Sequence, residues 1–270
     1  IRGDHRLRSH RLGRNAGRND SDHQHDLLDS RRYPFLDDHI PAARSWLEWL
    51  RPVLCGIWPI WSGDDGAWAQ GPTYGLAYVE IMTMFASALK RGAHVNLYGR
   101  PFWRNHIQWR RWLVPAYAEW IGFGDGSEPG ASSWAAGADL AELVACETGS
   151  GEFDTYIAAL RQQAKHHGDL VPEQQSAPVS PLRYLSSPAA IPSRTAHRTG
   201  VLRVFPDAGW AAVRTHPDDA KNDIALLFRS SPFGSISHAH ANNNDFILHV
   251  AGRVLAMPSG YYDGYGLSLI

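Results

Sequence analysis

Cysteine is nearly absent from this chain: Cys55 and Cys146 are the only two among 270 residues. They provide no metal or redox spacing, and two buried thiols are expected, one disulfide being the alternative. Long apolar runs are missing too, and none reaches transmembrane length. Nor does one sign of charge dominate: 26 Lys and Arg face 27 Asp and Glu, for a formal net charge of −1. Without a basic face or a charge block, nothing favours a nucleic acid or an anionic membrane as partner. What is present is a globular composition, 44% hydrophobic and 20% charged. The length suits one large or two ordinary domains with a substantial core.

Residues 1–32 hold eight Arg, five Asp and four His, with apolar residues too sparse to define a helix face. The stretch reads either as a solvated arm or as an out-of-frame or cloning-derived segment. At the other end, residues 261–270 run out without a closing element, so the chain reads as a fragment.

Residues 33–173 read as helical. Apolar positions 43, 46, 47 and 50 mark one face of a first helix. Pro72 opens a second, which is apolar on nearly all sides through residue 89, as expected of a helix buried among others. Pro101 opens a third over 102–112, ended or kinked by Pro115, and two more follow over 133–146 and 152–166. Residues 174–200, rich in Pro, Ser and Ala, form a linker. From 201 to 270 the period changes to two. Strands are expected over 201–205, 209–214, 223–229, 246–250 and 253–257, with Ala251-Gly252 as the last tight turn. The fold class is α+β, helices followed by an antiparallel β domain.

Four features could carry chemistry. The loop Asp64-Asp-Gly-Ala-Trp-Ala-Gln-Gly-Pro-Thr-Tyr74 delivers a phenol to the first turn of a buried helix. Tyr74 then either faces a cleft or packs as an ordinary interfacial tyrosine. Second, His238-Ala-His240 on an extended segment places both rings on one side. Such a pair titrates near neutrality or holds a metal if a third ligand joins it; otherwise it is a hydrogen-bonded strand end. The neighbouring Asn242, Asn243 and Asn244 add neutral donors and acceptors suited to hydroxyls and carboxylates, whereas His249 reads as a core histidine. Third, ten of eleven tryptophans lie between Trp46 and Trp134; two or three are expected to line a saccharide site and the rest to be core. Fourth, Arg100, Arg104, Arg110 and Arg111 either grip carboxylates or form surface pairs along a helix.

Two of these stretches, taken with Pro101-Phe-Trp-Arg-Asn105, Gly122-Phe-Gly-Asp-Gly126 and Ser259-Gly-Tyr-Tyr262, resemble the heparinase II/III-like polysaccharide lyases over about residues 42–266. The resemblance implies an incomplete α/α toroid joined to antiparallel sheets of a β-sandwich, with an acidic polysaccharide between them. It implies eliminative cleavage of a uronic-acid glycan, alginate or a glycosaminoglycan, with no cofactor required. Tyr74 and His238 are the implied catalytic residues, Arg100, Trp68, Asn243 and Asn244 the substrate contacts, and His240 the ligand of a structural zinc or calcium ion found in some members. Relatives are mostly periplasmic or secreted, although no signal peptide is recognisable in this chain. Gln70 stands where many members have Glu, which weakens an acid role there, and Asn242 stands where relatives often have Asp, which makes a metal less favoured. The family's carboxylate-assisting Asn or His falls in the first segment, where Asn19, His23 and His25 are candidates by position. A hydrolase is the second enzyme reading and would use two of Asp65, Asp125 and Glu128. A glycan-binding chain without activity is the third.

Overall fold

The computed structural model describes residues 40–52, 61–118, 121–125, 131–170, 201–234, 237–240 and 243–258. The segments expected as arm (1–32) and linker (174–200) lie outside the described residues, as do Cys55, Glu128, Asn242 and the stretch from Ser259 onward. The chain divides into two compact units, Ile1–Trp58 and Pro59–Ile270. The first contains helix α1 (Ala43–Pro52), on which Trp46 and Trp49 are exposed.

In the second unit, proline sets where two helices start. Helix α2 (Pro72–Ala93) has Pro72 in its first turn, where a missing N–H costs nothing. It closes on His94 in the left-handed conformation, whose N–H reaches Leu89 O, with Lys90 and Arg91 in the last turn facing the negative end of the helix. Helix α3 (Pro101–Leu113) also opens on proline and stops before Pro115, where the sequence places the break. Most of α3 from Phe102 onward is buried, including Trp103, Trp109 and Trp112. Helices α4 (Ala131–Thr148) and α5 (Asp154–Leu170) pack as a pair, bridged where Arg161 meets Asp139 and Glu142. Cys146 on α4 is a reduced thiol whose pKa burial raises.

Five strands follow: β1 (Leu202–Phe205), β2 (Trp210–Arg214), β3 (Ile224–Arg229), β4 (Asp245–Val250) and β5 (Arg253–Ala256). They form one antiparallel meander in chain order. Registers such as Val213↔Leu226 and Leu226↔Leu248 line up every second residue on one face. The inner face carries Phe205, Trp210, Ala212, Arg214, Leu227, Arg229, Ile247 and His249, all buried. His249 is wholly enclosed, edge-on to Tyr117, as expected of a core histidine. The outer face is also apolar: Leu202, Val204, Ile224 and Phe246 are between 45% and 58% exposed. Strands that alternate between water and core do not look like this; apolar residues on both faces mark a sheet suited to a layer on each side.

Two buried arginines tie this sheet to the helices. Arg214 donates from Nη1 to the carbonyls of Arg111 (3.1 Å) and Trp112 (3.3 Å), at the C-terminal end of α3 where acceptors are unsatisfied. Its charge is met by Asp223, at 2.6 Å from Nε and 2.5 Å from Nη2, both side chains being fully enclosed. Arg229 lies 5.6 Å from its cross-strand neighbour Trp210, measured to the ring centroid. Its guanidinium donates to Ala69 O (3.3 Å), Gly234 O (2.9 Å) and His240 O (3.0 Å). The Trp210 indole in turn donates to Trp68 O at 3.2 Å. Among the described residues no helix is long and apolar enough to cross a membrane.

Candidate functional site

Three short segments meet at one point, each shaped by glycine or a turn. Gly71 (φ 98°) precedes α2 so closely packed that a Cβ there would lie 2.0 Å from Phe123 O. Gly124 (φ 109°) is pressed between two backbones; a Cβ would lie 2.6 Å from Gln70 O and 2.9 Å from His238 O. Only glycine combines that backbone conformation with that approach. The third segment is the turn at Ser237-His238, with Ser237 at φ 47°. The histidine pair thus sits on a turn rather than the extended strand that its spacing suggests. Its rings converge because both reach one carboxylate.

That carboxylate is Asp125. Its Oδ2 lies 2.8 Å from His238 Nδ1 and its Oδ1 2.8 Å from His240 Nε2. The backbone N–H of Asp125 also donates to His238 O at 3.1 Å, so loop and turn are joined at backbone and side chain together. The Asp125 side chain is only 10% exposed, whereas that of His238 is 31% exposed. On its open side the His238 ring stacks on Tyr74, with centroids 3.6 Å apart and planes within 9°. A phenol on the first turn of α2 and an imidazole from the sheet half are thereby in van der Waals contact.

The other expected site residues lie in different surroundings. Trp68 is 2% exposed, stacked on Tyr78 with its N–H on Gln70 Oε1, and so it has no face to offer a sugar ring. Trp103, Trp109, Trp112 and Trp134 are likewise core. The four arginines are engaged with groups on other elements. Arg100 pairs with Asp64 at 3.3 Å, Arg104 with Glu152 at 2.5 Å and Arg111 with Asp218 at 2.7 Å, all across elements. Arg110 is buried and donates to Pro72 O. Asn243 brackets Ser231 through both its amide atoms, and Asn244 (φ 56°) accepts from Ser230 Oγ; both are exposed at the entry to β4. Asp65 is held by the backbone N–H groups of Ala67 and Asp207, and its carboxyl is raised mainly by burial. Asn19, His23 and His25 lie outside the described residues.

A metal at His240 finds no support in the donor geometry. The Nε2 of that ring is engaged with Asp125, as is Nδ1 of His238, and each N···O separation is that of a hydrogen bond. Among the described residues no group of three or more His, Cys, Asp or Glu is arranged to hold a metal ion. A separate cleft of about 440 Å³, lined by Tyr117, Gln162, Gln163, His166 and Asp218 among others, includes none of Tyr74, Asp125 and His238.

The residue that sequence reasoning passes over is Asp125, weighed there only as a hydrolase carboxylate. Its signal is the Gly122-Phe-Gly-Asp-Gly126 stretch, where glycines flanking an acid mark a tight backbone approach. No curated protein matches the chain. Residues 197–268, however, match the family model described as heparinase II/III-like, C-terminal.

Proposed function

We propose that this chain belongs to a polysaccharide lyase that cleaves a uronic-acid glycan, alginate or a glycosaminoglycan, by β-elimination. The observation that carries the reading is the stack of Tyr74 on His238, two groups able to move protons at the meeting point of helices and sheet. In the reaction the C5–H bond and the C4–O4 bond break, a C4=C5 double bond forms, and a proton reaches the departing oxygen. Where the C5 proton and the leaving group share a ring face, Tyr74 takes the proton and delivers one to O4. Where they lie on opposite faces, His238 is the base and Tyr74 the acid. Groups of this kind contribute about 10²–10⁴-fold each. The developing charge on the substrate carboxylate needs donors, which the exposed Asn243 and Asn244 would contribute on a small rearrangement.

A hydrolase would need two carboxylates facing each other across the glycan, yet Asp65 and Asp125 are both committed to partners within the chain. In the proposed whole fold the helices form part of an α/α toroid, and a second sheet covers the apolar outer face of β1–β5 to complete a sandwich. The proposed compartment is periplasmic or extracellular, where such glycans occur.

The test is ultraviolet absorbance of the unsaturated uronate product, with alginate, heparan sulfate and hyaluronan as substrates. Absorbance should rise with at least one of them and vanish in Tyr74→Phe, which keeps the ring stack. Glycan binding without turnover, unchanged by Tyr74→Phe, would replace this reading with a binding function.

A further inference from the structure

We propose that Asp125 is a positioning residue that sets opposite tautomers in His238 and His240, leaving Nε2 of His238 as the nitrogen available for chemistry. An ionised carboxylate can only accept hydrogen bonds, so each ring nitrogen facing it must carry the proton. His238 meets Asp125 through Nδ1, and His240 meets it through Nε2. A neutral His238 then has its lone pair on Nε2, and a neutral His240 has its lone pair on Nδ1. One acid thus imposes two different proton placements on two residues that are chemically alike in sequence.

Three observations make Asp125 more than an incidental ion-pair partner. Its side chain is 10% exposed, so water competes little for its oxygens. Its own N–H holds His238 O at 3.1 Å, which fixes the imidazole's backbone as well as its ring. Gly124 lets the same loop touch Gln70 O, four residues before Tyr74, and the loop therefore references both members of the stacked pair to one backbone. A ring held at Nδ1 and covered on one face by Tyr74 has lost its freedom to flip, and this preorganisation is what a proton-transfer step requires.

The kinetic consequence rests on the lyase reading; the tautomers do not. Long-range proton–nitrogen NMR spectra of the nitrogen-15-labelled chain, taken above the histidine titration range, should show His238 protonated at Nδ1 and His240 at Nε2. Asparagine offers one acceptor and one NH₂ donor, so in Asp125→Asn at least one of the two rings must invert its tautomer. For the glycan turned over by the parent protein, kcat should fall by about 10²-fold or more in Asp125→Asn with KM changed only slightly. The opposite tautomer at His238 in the parent protein overturns the proposal, and so do unchanged tautomers or unchanged kcat in Asp125→Asn. Should that variant fail to fold, the parent spectra alone decide. If the parent cleaves no acidic glycan, the lyase reading falls while the tautomer measurement still stands or fails by itself.

Discussion

Replacing Asp223 by alanine removes the acceptor at the centre of a buried polar cluster. Its carboxylate takes Arg214 Nε at 2.6 Å and Nη2 at 2.5 Å, the Tyr117 hydroxyl at 2.6 Å and the His216 N–H at 2.9 Å. Arg214 would keep its charge inside a fully enclosed site, with only the carbonyls of Arg111, Trp112 and Pro217 as acceptors. Breaking such a pair costs about 3–5 kcal/mol, most of it the penalty for the stranded charge. The orphaned Tyr117 hydroxyl and His216 N–H lie in the same cluster, so their cost overlaps with this one. Against a typical total of about 5–15 kcal/mol, Asp223→Ala should leave the fold marginal.

Urea unfolding of Asp223→Ala, Arg214→Met and the pair Arg214→Met with Asp223→Leu measures this directly. The double variant should lose distinctly less than the sum of the singles, because it leaves no unpaired charge. A loss below about 1 kcal/mol in Asp223→Ala, or simple additivity, would refute the reasoning. The pH dependence has a definite sign. Burial alone would raise the Asp223 carboxyl, but the Arg214 charge and the hydrogen bonds from Tyr117 and His216 outweigh it and hold the group below its ordinary value. A depressed carboxyl contributes stability that is present above the unfolded pKa of about 3.9 and is lost as pH falls through the folded value.

Other outcomes follow from other sites. His106 is wholly buried with Nδ1 on Gly66 O, and burial, aided by the Arg110 charge, pushes its pKa down to about 3. The unfolded chain takes up this proton near pH 6.5, so stability should fall as pH drops from about 6.5 to 3, at up to about 1.4 kcal/mol per unit; urea midpoints at pH 7 and 4.5 would show it, and equal midpoints would contradict it. Gly71→Ala and Gly124→Ala should each cost on the order of 1–3 kcal/mol in thermal unfolding and reduce any glycan turnover, since both displace the loop bearing Asp125. Arg104→Ala, by contrast, should change stability by less than about 1 kcal/mol, because its partner Glu152 is met from a side chain 59% exposed to water.

The elements were readable because each has a local cause. Proline at 72, 101 and 115 places helix ends within a residue or two of those observed, and the change to a period of two marks all five strands. Of the candidate site, the motifs name Tyr74 and His238, whose rings the fold stacks together. Counting tryptophans could not separate Trp68, sealed beneath Tyr78, from a solvent-facing platform. Likewise, arginines on a helix suggest surface pairs with residues four positions away, whereas Arg110 and Arg111 reach Pro72 O and Asp218 on other elements. Asp125 meets its histidines across more than 110 residues, a separation at which spacing carries no information about contact. The i, i+2 spacing of His238 and His240 suggests convergence through strand alternation, whereas a turn with a shared acceptor supplies it.

The segment matched by the family model cannot be a self-sufficient building block. Two of its guanidiniums are solvated, in effect, by the helical half, through carbonyls at Ala69, Arg111 and Trp112. Cut loose, the strands would strand those cations and bare Phe205, Trp210 and Ile247 on one surface while Leu202 and Phe246 already crowd the other. Any recombination that traded this sheet onto a different helical partner would have to bring matching backbone oxygens with it, and so the two halves are heritable only as a pair.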